Sequence, residues 1–212
     1  MATKKRIAVI LAGCGYVNGS ETTESVASLI SIGQLGAEAQ CFSINKNFES
    51  PEGSRSLITE SGLLCRDQVI DLAELKEEAF DGLLIPGGFG VAKHLCHWYD
   101  EGAQCFVEPQ ISKTIQGFYD ASKPIGALCI APALVAKVLG QNEITVTIGN
   151  DKETATELEK TGAIHEDCDV DDFVTDRAHK VISSPAYMYD NASPHQVFKG
   201  IHGLVSELVE MA

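Results

Sequence analysis

One domain built on a mostly parallel β-sheet, with helices on both faces, is the fold class that this chain predicts. Three observations carry the prediction. Short, continuously apolar, β-branched runs recur along the 212 residues, a pattern of strands covered on both faces rather than one. They alternate with segments of helical spacing, as βαβ units require. A hydrophobic fraction of 44%, a charged fraction of 22% and 19 glycines make an ordinary globular composition, which excludes disordered, collagen-like and coiled-coil chains. Residues 1–212 read as a single unit, with no internal repeat or low-complexity tract.

Ile7–Ala12 reads as the first strand. A glycine-rich turn follows, Gly13–Gly19, and Ser20 reads as the N-cap of a helix with Glu21 and Glu24 in its first turn. The apolar positions of that helix are Val26, Leu29, Ile30 and Leu35, and Gly33 and Gly36 mark its end. Ala37–Phe42 is the second strand, and Ser43–Ser61 is a polar surface excursion. Leu63–Cys65 is predicted as a short edge strand and Leu72–Phe80 as a short acidic helix. Asp81–Pro86 is a further buried strand, running into the loop Gly87-Gly88-Phe89-Gly90, with a helix beginning near Val91. Pro109–Ala121 is helical and Lys123–Leu128 extended. Ile130–Leu139 resumes helical spacing with Pro132 in its first turn, where proline is tolerated. Ile144–Ile148, the helix Asp151–Thr161, the facing strands Phe173–Thr175 and Lys180–Ser184, and the closing helix Ser193–Val209 complete the order.

Sixteen Lys and Arg against 30 Asp and Glu leave a formal charge of −14. Such a surface repels phosphate backbones and anionic lipid, so neither nucleic acid nor membrane is an expected partner. No run approaches the roughly 18–20 apolar residues of a spanning helix. The Met1–Arg6 start runs into an apolar stretch too short for a signal peptide, so a cytoplasmic location is expected. The 7 cysteines are an odd number without a CxxC pair, so buried thiols are expected instead of a disulfide framework. His94, Cys96 and His97 match no ordinary zinc spacing, and no metal is expected.

Sites in parallel sheets form at the carboxyl ends of strands. Three such ends stand out: Gly13–Ser20, Gly87–Gly90, and the turn Leu128-Cys129-Ile130. A cysteine at a strand-to-helix apex has the logic of a nucleophile elbow. The helix end beneath it favours the thiolate, and an ionised thiol is therefore expected. The Ile130 N–H points toward an oxyanion formed on an attacked carbonyl, and the Gly87-Gly88 loop offers a second backbone donor, Gly88. The bland reading is a structural cysteine at an ordinary junction.

Several segments together, Val9–Gly15, Gly19-Ser20-Glu21, Ile85–Gly90, Cys129-Ile130-Ala131-Pro132-Ala133 and Ser184–Met188, resemble the ElbB family. This is the isoprenoid biosynthesis group with an amidotransferase-like domain, in the ThiJ/PfpI superfamily. The resemblance covers essentially the whole chain. It implies a flavodoxin-like three-layer sandwich of the class I glutamine amidotransferase type, a reactive cysteine with a carboxylate beside it, and a homodimer. Counting back from Gly36 selects Glu24 as that carboxylate, with Glu21 in reserve. Acids also favour helix N-termini for purely local reasons, which suits Glu21 better than Glu24. One departure is that Ile130 stands where the protease-like and chaperone-like branches carry histidine. The nearest match to the amidotransferase His-x-Glu pair is His165-Glu166-Asp167, with aspartate in place of glutamate, so His165 is only a secondary candidate. A full Cys-His-Glu triad, and with it glutamine hydrolysis, is poorly supported. Tyr187 and Met188 are candidates for lining a pocket, and Lys93 for attracting an anionic group, or else for ordinary packing and solvation.

Cysteine plus carboxylate without histidine suits a carbonyl that is already electrophilic. The expectation is therefore a cofactor-independent glyoxalase-like lyase that converts glyoxal-type α-oxoaldehydes to α-hydroxy acids, an activity the family resemblance also implies. The small-molecule aldehyde is the expected partner, with no cofactor. The alternative is a non-enzymatic redox sensor or regulatory protein in which Cys129 is oxidised instead of turned over.

Overall fold

The computed structural model describes residues 4–50, 53–65 and 68–212. Met1–Thr3 of the N-terminal segment and Pro51-Glu52 of the polar excursion lie outside them. The strands are β1 (Arg6–Ile10), β2 (Glu38–Ser43), β3 (Asn47–Ser50), β4 (Gly53–Ser56), β5 (Ile70–Asp71), β6 (Gly82–Ile85), β7 (Ile125–Leu128), β8 (Thr145–Val146), β9 (Ile164–His165), β10 (Val174–Asp176) and β11 (Val181–Ser184). The helices are α1 (Thr22–Gln34), α2 (Leu57–Ser61), α3 (Trp98–Glu101), α4 (Pro109–Asp120), α5 (Ala131–Leu139), α6 (Lys152–Glu159) and α7 (Pro194–Met211).

A seven-stranded sheet runs in the order β10-β11-β7-β6-β1-β2-β5. All its pairs are parallel except β10 with β11. Along β1, Ile7 and Val9 face the layer of α1 and α7, while Ala8 and Ile10 face the layer of α4 and α5. This two-sided burial explains why the run is continuously apolar instead of alternating. β3 and β4 form a separate antiparallel hairpin, and β8 pairs with β9. Among the described residues no helix is long and apolar enough to cross a membrane.

Four local expectations are corrected. The excursion 43–61 contains the β3–β4 hairpin and α2, so it is more ordered than its polar composition suggests. Leu63–Cys65 forms no strand, and the edge position belongs to Ile70–Asp71, paired with Phe42 and Ser43. Leu72–Phe80 is broken into two single 3₁₀ turns, Leu72–Glu74 and Glu77–Ala79. The expected apolar face of α1 points outward: Ile30 is 56% exposed, and Val26 and Leu35 are also exposed. The buried stripe is instead Glu24, Ser25, Ala27, Ser28, Ser31 and Ile32. Small side chains on that stripe let α1 settle closely against α7 and the sheet. Its first turn then reaches the carboxyl ends of β6 and β7.

Candidate active site

β7 ends at Leu128, and the chain turns sharply at Cys129 before α5. Cys129 holds φ at 58°, a left-handed conformation that a non-glycine residue rarely adopts without an imposed geometry. Its own N–H is tied to Ser184 O at 2.9 Å, so β11 fixes the turn from the side. The residue is 8% exposed, and its sulfur accepts hydrogen bonds from the backbone N–H groups of Gly88 and Ile130.

The Gly87–Gly90 loop can approach this closely only because it lacks side chains. A Cβ at Gly87 would lie 2.5 Å from Cys129 Cβ and 2.8 Å from Glu24 Oε2. Gly88 has φ of 96°, and a Cβ there would meet Gly19 O at 2.4 Å. The two glycine-rich loops are stitched together: Glu21 N–H donates to Gly87 O at 2.9 Å and Gly90 N–H to Gly19 O at 3.0 Å. Ser20 is not the helix cap. Its buried hydroxyl accepts from Ala12 N–H at 2.9 Å, locking the loop, and the cap of α1 is Glu21, whose Oε2 accepts from Glu24 N–H at 2.7 Å.

Glu24 is fully buried beside the thiol. Its Oε2 accepts from Gly87 N–H at 2.8 Å and its Oε1 from Tyr187 N–H at 3.3 Å, and it hydrogen-bonds Cys129. The Tyr187 donor is aimed by a second strained turn, in which buried Ala186 has φ of 45°. No residue-type signal in the sequence marks this backbone amide. Burial, and then the charge of Glu21, push the Glu24 carboxyl up to about 7, against the hydrogen bonds from Gly87, Tyr187 and Cys129 that favour its charged form.

The thiol is pushed up as well, first by burial and then by the Glu24 charge. The expectation of a standing thiolate is therefore corrected. The helix end and the Gly88 and Ile130 donors favour ionisation, but desolvation and the carboxylate outweigh them. The pair is best described as two acids competing for one proton, each ionisation opposing the other.

The remaining candidates lie in other roles. Glu21 caps α1, and burial raises its carboxyl. His165 sits in β9, where Nε2 accepts from Ile148 N–H at 3.3 Å and Nδ1 lies 3.8 Å from Asp167 Oδ1. Lys93 Nζ donates to Val17 O at 2.8 Å and lies over the rings of Phe89 and Tyr99. His94 contacts Asn18 O, His97 pairs with Glu101, and Cys96 contacts Val91 O. These three therefore turn to separate partners. Met188 is packed between the two cores.

No family-wide sequence profile matches the chain. It is 34% identical over 225 residues to the human glutamine amidotransferase-like class 1 domain-containing protein 3, mitochondrial, covering 97% of this chain and 83% of that protein. The crystal structure of an isoprenoid biosynthesis protein with amidotransferase-like domain from Ehrlichia chaffeensis is also 34% identical. It superposes with a TM-score of 0.89 and covers 98% of this chain and 100% of that one. A ThiJ/PfpI domain protein from Brachyspira murdochii, at 12% identity, shares the fold with a TM-score of 0.60 over 99% of this chain and 97% of its own.

Proposed function

Because the chain belongs to the ElbB-type family of isoprenoid biosynthesis proteins with an amidotransferase-like domain, we propose that it is a cofactor-independent glyoxalase-like enzyme acting on glyoxal-type α-oxoaldehydes through Cys129 and Glu24. The observation that carries this reading is a fully buried carboxyl, raised to about 7 and held by the Gly87 and Tyr187 N–H groups, beside a thiol that two further backbone N–H groups face. A general base is most effective when its pKa lies near the working pH.

In this mechanism the Glu24 carboxylate takes the Cys129 proton as the sulfur adds to the aldehyde carbon. The C=O bond opens to an oxyanion that the Gly88 and Ile130 N–H groups stabilise, and protonation gives a hemithioacetal. Glu24 then removes the hydrogen on that carbon as a proton. The electron pair forms an enediol with the neighbouring carbon, and reprotonation there leaves a thioester on Cys129. Water cleaves the thioester, releasing the hydroxy acid and restoring the thiol. Glyoxal plus water thus becomes glycolate and a proton, with no net redox change. Gly87 and Tyr187 hold both carboxyl oxygens, so Glu24 keeps one orientation through both proton transfers.

The test is glycolate release from glyoxal by the purified protein. Cys129→Ala is expected to abolish it and Glu24→Gln to reduce it by about 10²–10⁴-fold. The wild-type kcat/KM should rise with pH through about 7 as Glu24 ionises, and Glu24→Gln should lose that limb. Turnover that survives Cys129→Ala overturns the mechanism. Oxidation of Cys129 by peroxide with no glycolate formed would favour the sensor reading instead.

A further inference from the structure

We propose that Cys96 and Cys105 form a second thiol centre, separate from Cys129, which hydrogen peroxide closes to an intramolecular disulfide. Leu95–His97 and Phe106–Glu108 run antiparallel. His97 N–H donates to Phe106 O at 2.9 Å, Glu108 N–H to Leu95 O at 3.0 Å, and Cys96 lies opposite Val107. Side chains alternate between faces along such a ladder, so Cys96 shares its face with Val107 and with Cys105 one diagonal step away. The two thiols are near enough that each acts on the ionisation of the other. Their exposures are 0% and 3%, and Gln104 and Phe106 on either side of Cys105 are exposed, which makes Cys105 the sulfur nearer the surface.

The two sulfurs are not equivalent. Cys96 Sγ donates to Val91 O at 3.5 Å, and the neighbouring Cys105 together with burial pushes its thiol up. The neighbouring Cys96 brings the Cys105 thiol down, helped by the charge of Lys137. Lys137 is held near by donating to Ala103 O at 2.7 Å. With Lys137 held at Ala103 O and exposed residues on either side of it, Cys105 takes the attacking role and Cys96 the resolving one. Cys105 follows the tight turn Gly102–Gln104, and closing the pair requires the two sulfurs to come to bonding distance.

The chemistry balances with the peroxide as the only oxidant. The Cys105 thiolate attacks one peroxide oxygen, the O–O bond breaks, and the departing oxygen leaves as water after taking a proton. Cys105 is now a sulfenic acid. The Cys96 sulfur, losing its proton, attacks the Cys105 sulfur and expels the hydroxyl as a second water. Two thiols have lost two electrons and two protons, and one peroxide has become two waters.

Trypsin isolates both sulfurs, and no other cysteine, on the single peptide His94–Lys113. Full-length Cys129→Ser protein treated with hydrogen peroxide should yield this peptide lighter by two hydrogen atoms. It should resist iodoacetamide until it is reduced. Closure should be faster in the folded protein than in the chain held unfolded in urea, and Cys96→Ala should instead accumulate a dimedone-reactive sulfenic acid at Cys105. An unchanged peptide, oxygen added to Cys105 while Cys96 stays free, or closure no faster than in urea overturns the proposal.

Discussion

Helices α1 and α7 lie side by side on the same face of the sheet, yet they are built on opposite plans. α7 buries Val197, Ile201, Leu204, Val205 and Leu208, an apolar stripe at helical spacing, and Ser193 and Gln196 start it with a reciprocal capping box. α1 buries a carboxyl and three serines, and it leaves Val26 and Ile30 in solvent. The hydroxyl of Ser28 is buried without a hydrogen-bond partner, an arrangement that stability alone does not favour. The contrast shows that α7 is selected by what it buries and α1 by what it delivers. Glu24 can reach Cys129 only if the face that carries it turns inward, and its apolar neighbours must then turn out.

The same substitution at matched positions exposes this asymmetry most strongly on α7. Ile201 is fully buried between α7 and the sheet. Ile201→Ala should cost about 2–5 kcal/mol in urea or thermal unfolding, from lost burial plus the cavity left behind. A loss below about 1 kcal/mol would mean that α7 is not the anchoring partner of the pair.

The next effect belongs to α1 and depends on pH. Glu24 titrates near 4.5 when unfolded and about 7 when folded. A folded-state pKa that is raised means the native protein binds more protons than the unfolded chain between those values. Stability is therefore fully present below about 4.5 and declines as pH rises, reaching its lower level above about 7. The loss is about 3 kcal/mol across that window. Glu21, also raised by burial, adds to the decline with the same sign. Glu24→Gln should show a shallower fall in the unfolding midpoint between pH 5 and pH 8 than wild type. Its absolute stability is a poorer guide, because the new amide nitrogen faces the N–H of either Gly87 or Tyr187. Parallel slopes for the two proteins would remove the buried carboxyl from the account.

This inversion is also where sequence reading reached its edge. The strands at Ile7, Gly82, Ile125 and Val181, and the turn at Cys129, were legible because two-sided burial leaves an unbroken apolar run and a strand end leaves a glycine or a break. Gly88 and Ile130 were legible as donors for the same reason, being backbone groups at predictable strand ends. Glu24 was reached through the family resemblance, since periodicity alone put Val26 and Ile30 inside and so pointed the helix the other way. The Ser20 hydroxyl was misread as a cap because serine before a helix has that local preference, whereas here the loop hydrogen bond to Ala12 wins. The Tyr187 amide was invisible because every residue but proline has one. The ionisation of Cys129 was misjudged because a helix terminus contributes a modest, local favour, while burial beside a carboxylate acts on the whole thiol.

The smallest expected effect tests the comparison from its quiet side. Ile30 is the counterpart of Ile201, a β-branched residue in mid-helix, but more than half of its surface is in solvent. Truncation to alanine removes little buried area and leaves no cavity, and alanine is the better helix former by a few tenths of a kcal/mol. Ile30→Ala should change the unfolding free energy of dilute protein by no more than about 0.5 kcal/mol in either direction, with the alkylation rate of Cys129 unchanged. If it instead destabilises as much as Ile201→Ala, the outward face of α1 is covered in solution, and the difference between the two helices is one of partner and not of plan.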